Sequence, residues 1–355
     1  MDELDKYLIG GKETLVDAMQ KIDQNTRGIL FVVGDNKKLQ GTLTDGDVRR
    51  SLIKNGNLKA EVAGVMNQNP KYVYATNIGD YRGFMKKRKL TALPVVTEDA
   101  VICDIVFSDE VYKNEIQIRN SLSEVPVVIM AGGKGTRLYP YTKVLPKPLI
   151  PVGDIPIMER IIHNFQEFGA KEFWVTLGYR KNMIKSYFGE VLTDLTLNYV
   201  EEEQPLGTAG SLHLISKTFS KPLIVTNCDI LIQADYEDIY KYHSQSGNAL
   251  TIVTALKNIV VPYGVVETKE NGTITKMEEK PKLSYFVNTG MYVLNPDLLA
   301  GIPKDTFFHM TDLADMLLKA GDQVGMYPIS EDSFLDMGEF EEMRRMEKKL
   351  NLKTE

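Results

Sequence analysis

Apolar residues recur at a helical interval in Leu15, Ala18, Met19 and Ile22, which predicts a helix over 12–22. An apolar run from Ile29 to Val33, closed by the Gly34-Asp35-Asn36 turn, predicts a buried strand over 28–34. A second strand over 39–43 leads into Thr44-Asp45-Gly46-Asp47, where Thr44 or Asp45 can cap a following helix. The pattern returns about 64 positions later, with a helix over 78–85, strands over 92–96 and 101–107, and then Ser108-Asp109-Glu110. Two βαβ-like halves predict a tandem module over 1–118. The polar stretch 114–124 follows, and its end, 119–124, is taken as a linker.

The pattern changes at Val125. Residues 125–130 are almost continuously apolar, as in a parallel strand covered on both faces. Further strands are predicted over 172–177, 197–201, 223–226, 249–255, 264–267, 292–294 and 325–328. Helices are predicted over 156–168, 207–217 and 310–319, with a charged helix over 339–350. Strands alternating with helices predict an α/β layered fold with a mainly parallel sheet, forming a second domain over 125–355.

Composition narrows the partners. The 355 residues are 43% apolar and 25% charged, enough for two folded domains and too apolar for wholesale disorder. No run approaches the ~18–20 apolar residues of a membrane helix, and the acidic N-terminus lacks a signal-peptide core. The two cysteines, Cys103 and Cys228, lie in apolar runs, so neither a disulfide scaffold nor a cysteine zinc site is expected, and a cytoplasmic setting fits. A net charge of −6 argues against nucleic-acid binding. The basic run Lys86-Lys87-Arg88-Lys89 is read as a solvated helix end that complements the dipole. His163, His213, His243 and His309 show no metal-ligand spacing and are read as structural or surface residues; Trp174 is read as core.

Gly41, Thr44 and Asp47 stand at the spacing of a ribose-phosphate signature, and the first 118 residues resemble a pair of cystathionine-β-synthase (CBS) domains. That resemblance implies an adenine nucleotide held at Thr44 and Asp47, dimerisation, or both, and hence a homo-oligomer. In the second half Ser108 keeps its place but Val111 replaces the aspartate, so one competent nucleotide site is expected at most. Helix capping alone also explains Thr44 and Asp47.

The strongest chemical signal follows the first strand of the second domain: Ala131, then Gly132-Gly133-Lys134-Gly135-Thr136-Arg137. Glycines admit close approach of backbone to a ligand, and successive N–H groups form an anion nest. The spacing fits neither a P-loop nor a dinucleotide fingerprint. Lys147 follows between two prolines, which fix the backbone and aim the side chain. Then come Glu202 to Gly210, Asn227-Cys228-Asp229 at a strand end, Glu278-Glu279-Lys280-Pro281, Asn288-Thr289-Gly290 and Asp336-Met337-Gly338. Ends of parallel strands are where α/β proteins place ligand groups.

This ordered set resembles the sugar-1-phosphate nucleotidyltransferases, and the resemblance runs from Val125 to about Glu342. It implies a Rossmann-like core that joins a nucleoside triphosphate to a sugar 1-phosphate. The loop 132–136 would cradle the phosphates, and Ala131, Glu202, Gly207 and Thr208 would complete the nucleotide site. Arg137 would stabilise the transition state, and Lys147 would neutralise phosphate charge. Asp229 and Asp336 would share a Mg²⁺. Lys280 would hold the sugar phosphate; Glu279 and Asn288 would bond its hydroxyls, with Gly264 and Thr289 lining the pocket. Relatives that read uracil or thymine carry Gln five residues before the second-loop glycine; here Glu202 stands there, and a carboxylate suits the adjacent donors of guanine. A shifted register would offer Glu203 or Gln204 instead. GTP is therefore favoured over UTP or dTTP. Fusion to a CBS pair resembles bacterial enzymes that activate amino sugars for surface glycans, such as glucosamine 1-phosphate in legionaminic acid synthesis; mannose 1-phosphate or a heptose 1-phosphate stays open. The reading of another class is a non-catalytic sugar-nucleotide sensor.

Overall fold

A computed structural model describes residues 3–25, 27–76, 81–88, 90–108, 120–192, 195–338 and 340–350. The expectations that fall on 78–80, Lys89, Asp109, Glu110, Val111, Arg119 and Glu339 lie outside the described residues. The chain divides into two compact units: Met1–Gln117 with Asn258–Tyr285, and Ile118–Lys257 with Phe286–Glu355. Among the described residues no helix is long and apolar enough to cross a membrane.

In the first unit, β1 (Leu8–Gly10), β2 (Ile29–Val33) and β3 (Leu39–Thr44) form one sheet, and β4 (Val73–Tyr74), β5 (Ala92–Val96) and β6 (Ile102–Phe107) form another. Each sheet has the same order and senses: its first pair is parallel, its second antiparallel. One apolar core joins the halves, with Phe31 and Ile29 beside Val96, Ile102 and Phe107. Helix Leu15–Asn25 buries Leu15, Ala18, Met19 and Ile22, the stripe visible in the sequence. Thr44 caps helix Asp45–Asn55 through a capping box: Asp47 N–H donates to Thr44 Oγ1 at 3.2 Å, and Thr44 N–H donates to Asp47 Oδ2 at 2.9 Å. Lys86, Lys87 and Arg88 lie exposed in the last turn of helix Tyr81–Arg88.

The second unit is built on β7 (Val127–Ala131), whose side chains are all buried. Val127, Ile129 and Ala131 enter one apolar core, Val128 and Met130 the other, so the strand's period of two feeds both faces of the sheet. Each of its larger apolar side chains contributes about 1.5–3 kcal/mol of burial. After the short hairpin β8 (Pro151–Val152) and β9 (Ile155–Pro156) come β10 (Glu172–Leu177), β11 (Thr196–Glu201), β12 (Leu223–Asn227) and β13 (Ile230–Ile232). Strand β14 (Leu250–Val260) runs into the segment Asn258–Tyr285 of the first unit, which holds the hairpin β15 (Val265–Thr268) and β16 (Ile274–Glu278), and β17 (Lys282–Leu294) leads back. The last strands are β18 (Val324–Ile329) and β19 (Phe334–Asp336).

The seven-stranded sheet has the order β11-β10-β7-β12-β17-β14-β18. Its first four strands are parallel, β17 runs antiparallel to β12, and β14 and β18 are parallel. The mostly parallel α/β architecture is thus as expected. The helices Lys181–Val191 and Tyr236–Ser246 and the strands β13 and β19 were not among the predicted elements, and two predicted ones differ in extent. Strand β17 is far longer than 292–294: it starts at Lys282, and its outer half, which carries Leu283, Tyr285, Phe286 and Val287, is exposed or half-buried. The helix over 207–217 is only a turn, Gly207–Gly210, followed by a 3₁₀ turn, Ser211–Leu214. Ala209 and Gly210 N–H both donate to Phe308 O, so a distant stretch of chain takes the groups a helix start exposes.

Candidate active site

The C-terminal tips of β7, β12 and the chain after β11 meet at a cavity of about 380 Å³ within the second unit. Gly132, Gly133, Gly135, Thr136 and Arg137 form one wall, Lys147, Asn227 and Asp229 the floor, and Glu202, Gly207 and Thr208 a further side. Gly132 lets the Glu202 carboxylate lie against the loop: a Cβ there would push that carboxylate aside. The loop's far end is tied by Thr142 Oγ1, which donates to Gly135 O at 2.8 Å.

Lys147 begins a 3₁₀ turn bounded by Pro146 and Pro148, and its buried ammonium pairs with the Asp229 carboxylate. Both side chains are about a tenth exposed, at 10% and 13%, so the pair interacts where water screens it weakly. Asp229 follows β12, and its carbonyl accepts from Met337 N–H at 2.9 Å. The antiparallel ladder of β13 with β19 then sets Ile230 opposite Asp336. The two aspartates are distant in sequence and adjacent in space.

Asp336 Oδ1 is buried and has no hydrogen-bond partner. Burial, and then the charge of Asp229, raise the Asp336 carboxyl above its usual range, while Lys147 and Arg137 pull it back. Arg137 stands close by: the space a Gly338 Cβ would take lies 3.1 Å from Asp336 Oδ1 and 3.3 Å from Arg137 Nη1. An unpartnered carboxylate oxygen beside a second carboxylate suits a hard divalent cation. Among the described residues no three acidic, histidine or cysteine side chains could hold an ion, so the remaining oxygens would come from a phosphate ligand or water. Cys228, wholly buried, is pushed up to about 12 by burial and by Asp229, so its thiol stays protonated and is no nucleophile at neutral pH.

Glu202 follows β11 and is half-buried against the glycine loop. Burial raises its carboxyl above the usual range, while Leu206 N–H, donating to Oε2 at 3.4 Å, and the hydroxyls of Ser211 and Thr176 oppose the rise. Glu202 lines the cavity, whereas Glu203 and Gln204 are exposed and do not. Gln204 instead donates to Asp305 O at 3.2 Å.

Other expected residues lie elsewhere. Lys134 is exposed outside the cavity lining, and Ala131 is buried beneath the loop. Thr289 is buried and donates to Val253 O at 2.8 Å; Asn288 bridges Gly290 N–H and the Tyr292 hydroxyl. Neither lines the cavity. Gly264, Glu279 and Lys280 belong to the segment Asn258–Tyr285 of the first unit, where Lys280 N–H donates to Tyr263 O at 3.3 Å. Phe307 and Thr176 line the cavity without having been singled out in the sequence, and His309, read there as a structural or surface residue, lines it too. The sequence clue was the spacing of His309 to Asp312, which marks a helix start: His309 N–H donates to Asp312 Oδ2 at 2.7 Å. Of the other histidines, His243 is buried between Thr251 and Asn295, and His163 is exposed.

Comparison with known proteins bears on this geometry. The CBS domain family matches residues 7–54, and the nucleotidyl transferase family matches residues 126–352. A UTP–glucose-1-phosphate uridylyltransferase of Synechocystis is 31% identical over 232 residues, 59% of each chain. A mannose-1-phosphate guanyltransferase of Debaryomyces hansenii is 32% identical over 198 residues, 51% of this chain and 54% of that protein. The chain thus spans little more than half the length of these relatives. The crystal structure of HddC from Yersinia pseudotuberculosis shares the fold, with a TM-score of 0.51 and 24% identity over 64% of this chain and 99% of that one. With its glycine loop, paired lysine and aspartate and second aspartate at one site, and a family match over most of its length, the chain belongs to the nucleotidyl transferase family and carries an N-terminal CBS domain.

Proposed function

We propose that this chain transfers a nucleoside monophosphate from a nucleoside triphosphate to a sugar 1-phosphate, with GTP as the favoured donor. The observation that carries the reading is the meeting of Arg137, Lys147 and Asp229 in the lining of one cavity beside the glycine loop, with Asp336 buried outside that lining and next to them. A phosphate oxygen of the sugar 1-phosphate attacks the α-phosphorus; the bond to the bridging oxygen of the β-phosphate breaks, and pyrophosphate leaves. Such a reaction depends on positioning and on charge stabilisation. Backbone N–H groups of 132–136 would hold the triphosphate, with Gly207 and Thr208 facing the nucleoside. Arg137 would stabilise charge on the departing pyrophosphate. Lys147, aimed by its prolines, would move its charge from Asp229 towards the phosphates. Asp229 and Asp336 would hold a divalent cation, Mg²⁺ by preference, which would shield the charge of the polyphosphate.

Glu202 supports guanine, because a carboxylate accepts from both N1–H and the 2-amino group. Guanyltransferases for mannose 1-phosphate among the relatives support the same base. The uridylyltransferase relative supports UTP as the second reading. Glucosamine 1-phosphate or mannose 1-phosphate is the proposed acceptor, for surface glycans. In the first unit the shared order of the two sheets supports a CBS pair over 1–118, ahead of the linker 119–124 and the catalytic domain 125–355. An adenine nucleotide there would displace the capping box that engages Thr44 and Asp47. We place the protein in the cytoplasm as a homo-oligomer.

Pyrophosphate release, measured with Mg²⁺ across GTP, UTP, dTTP, ATP and CTP against a panel of sugar 1-phosphates, tests the reading. GTP-dependent release is expected. A clear preference for UTP or dTTP overturns the base assignment, and failure to release pyrophosphate from every one of these nucleotides leaves the sensor reading.

A further inference from the structure

The cavity has one wall that none of the proposed roles uses, and it comes from a segment a hundred residues beyond the glutamate it faces. Phe307 is 60% exposed at the mouth of the cavity, and its ring meets that of His309 edge-on at 4.7 Å. The segment is pinned to the loop after Glu202 by backbone. Phe308 N–H donates to Leu206 O at 2.9 Å, and Phe308 O accepts from Ala209 and Gly210 at 2.9 Å each. Gly207 admits this contact: its φ is +79°, and a Cβ would stand 2.6 Å from Phe308 O.

The hydrogen bonds also fix the imidazole. Thr208 Oγ1 accepts from Met310 N–H at 3.0 Å, which turns the hydroxyl proton towards His309 Nδ1 at 3.4 Å. Thr208 N–H points at the same nitrogen, also at 3.4 Å. With Nδ1 an acceptor, the neutral ring carries its proton on Nε2. Among the described residues Nε2 has no partner.

We propose that Phe307 and His309 form the outer wall of the nucleobase subsite, Phe307 stacking on the base and His309 Nε2–H donating to a carbonyl at position 6 of a purine. This rests on the guanine reading of Glu202. Guanine presents donors at N1 and the 2-amino group and an acceptor at O6; an acceptor carboxylate on one side and a donor imidazole on the other match that edge. Adenine, with an amino group at position 6, would find donor facing donor.

Calorimetric titration of the full chain with GTP, ITP, ATP and UTP in Mg²⁺ tests the wall without needing the acceptor sugar. Phe307→Ala should weaken both GTP and ATP by about tenfold, the scale of one lost base–aromatic stack. His309→Phe keeps a ring and should weaken GTP and ITP alike by roughly fivefold, the scale of one hydrogen bond, with ATP binding no weaker than to wild type. His309→Gln restores a donor and should recover GTP affinity. Equal losses for GTP and ATP in His309→Phe reduce the imidazole to packing and overturn its half of the proposal. Unchanged affinity for every nucleotide in Phe307→Ala overturns the other half. Tighter binding of UTP than GTP by the wild-type chain refutes the guanine reading instead, and Phe307→Ala then still reports whether this wall touches a base.

Discussion

Replacing Asp336 by Asn isolates the feature on which the cation argument rests. The wild-type side chain buries an oxygen with no hydrogen-bond partner and faces a second carboxylate. An unsatisfied buried acceptor costs about 1–3 kcal/mol. Asn keeps the shape, removes the charge and brings an N–H₂ group that can donate towards Asp229. In a chelator the variant should therefore be more stable than wild type by about 1–3 kcal/mol. For a unit of this size, about 2–4 °C accompanies each kcal/mol, so the melting temperature should rise by several degrees. The sign with pH is fixed by the raised carboxyl. Wild-type stability from this group is full at acid, below the ordinary value of 3.8, and is lost as pH rises through the raised one; the advantage of Asn grows over the same interval. Adding Mg²⁺ and GTP should reverse the ranking. At saturation near a hundred times the dissociation constant, wild type gains about 2.7 kcal/mol and the variant far less. Calorimetry of both proteins, with chelator and with Mg²⁺ and GTP, reads all of this. A chelated variant that melts below wild type, or one that gains as much from the cation and nucleotide, refutes the reasoning.

Asp229→Asn should abolish pyrophosphate release while the chain stays folded, and wild-type rates would remove Asp229 from the site. Lys147→Met leaves Asp229 charged and buried, so it should melt well below the Lys147→Met/Asp229→Asn double variant; breaking a fully buried pair costs about 3–5 kcal/mol, and this nearly buried one somewhat less. Gly207→Ala forces a side chain into a left-handed backbone against Phe308 O and should lose at least about 1–2 kcal/mol, seen as a lower melting temperature. Burial holds His243 below its usual value of 6.5, so its contribution is full above that pH and is lost as pH falls towards the lowered value. Urea titrations across that interval should show stability falling with pH in wild type and a flatter profile in His243→Asn.

Periodicity was enough for β7, because alternation and continuous burial leave a plain apolar run, and enough for the stripe of helix Leu15–Asn25. The glycine loop and Lys147 were legible for a related reason: local backbone demands select Gly and Pro, and those leave their mark in the sequence. Asp336 was found only through resemblance, since its meeting with Asp229 is made by a ladder between β13 and β19 that neither segment announces. Phe307 and His309 were missed because their place depends on Phe308 docking on the loop after Glu202, a pairing of backbone groups to which the residue types are nearly indifferent. The outer half of β17 was passed over although Leu283, Tyr285, Phe286 and Val287 suit a strand, because Asn288, Thr289 and Gly290 interrupt the apolar run before Met291.

The three-residue clasp of β13 and β19 has an engineering consequence. It sets the spacing of the two acidic groups by main-chain pairing, while the hundred-odd residues between Ile232 and Phe334 carry three strands of the central sheet and much of its core. A graft or a change of length confined to the exposed tip of the β15–β16 hairpin should leave the acidic pair in register as long as both clasp strands still close.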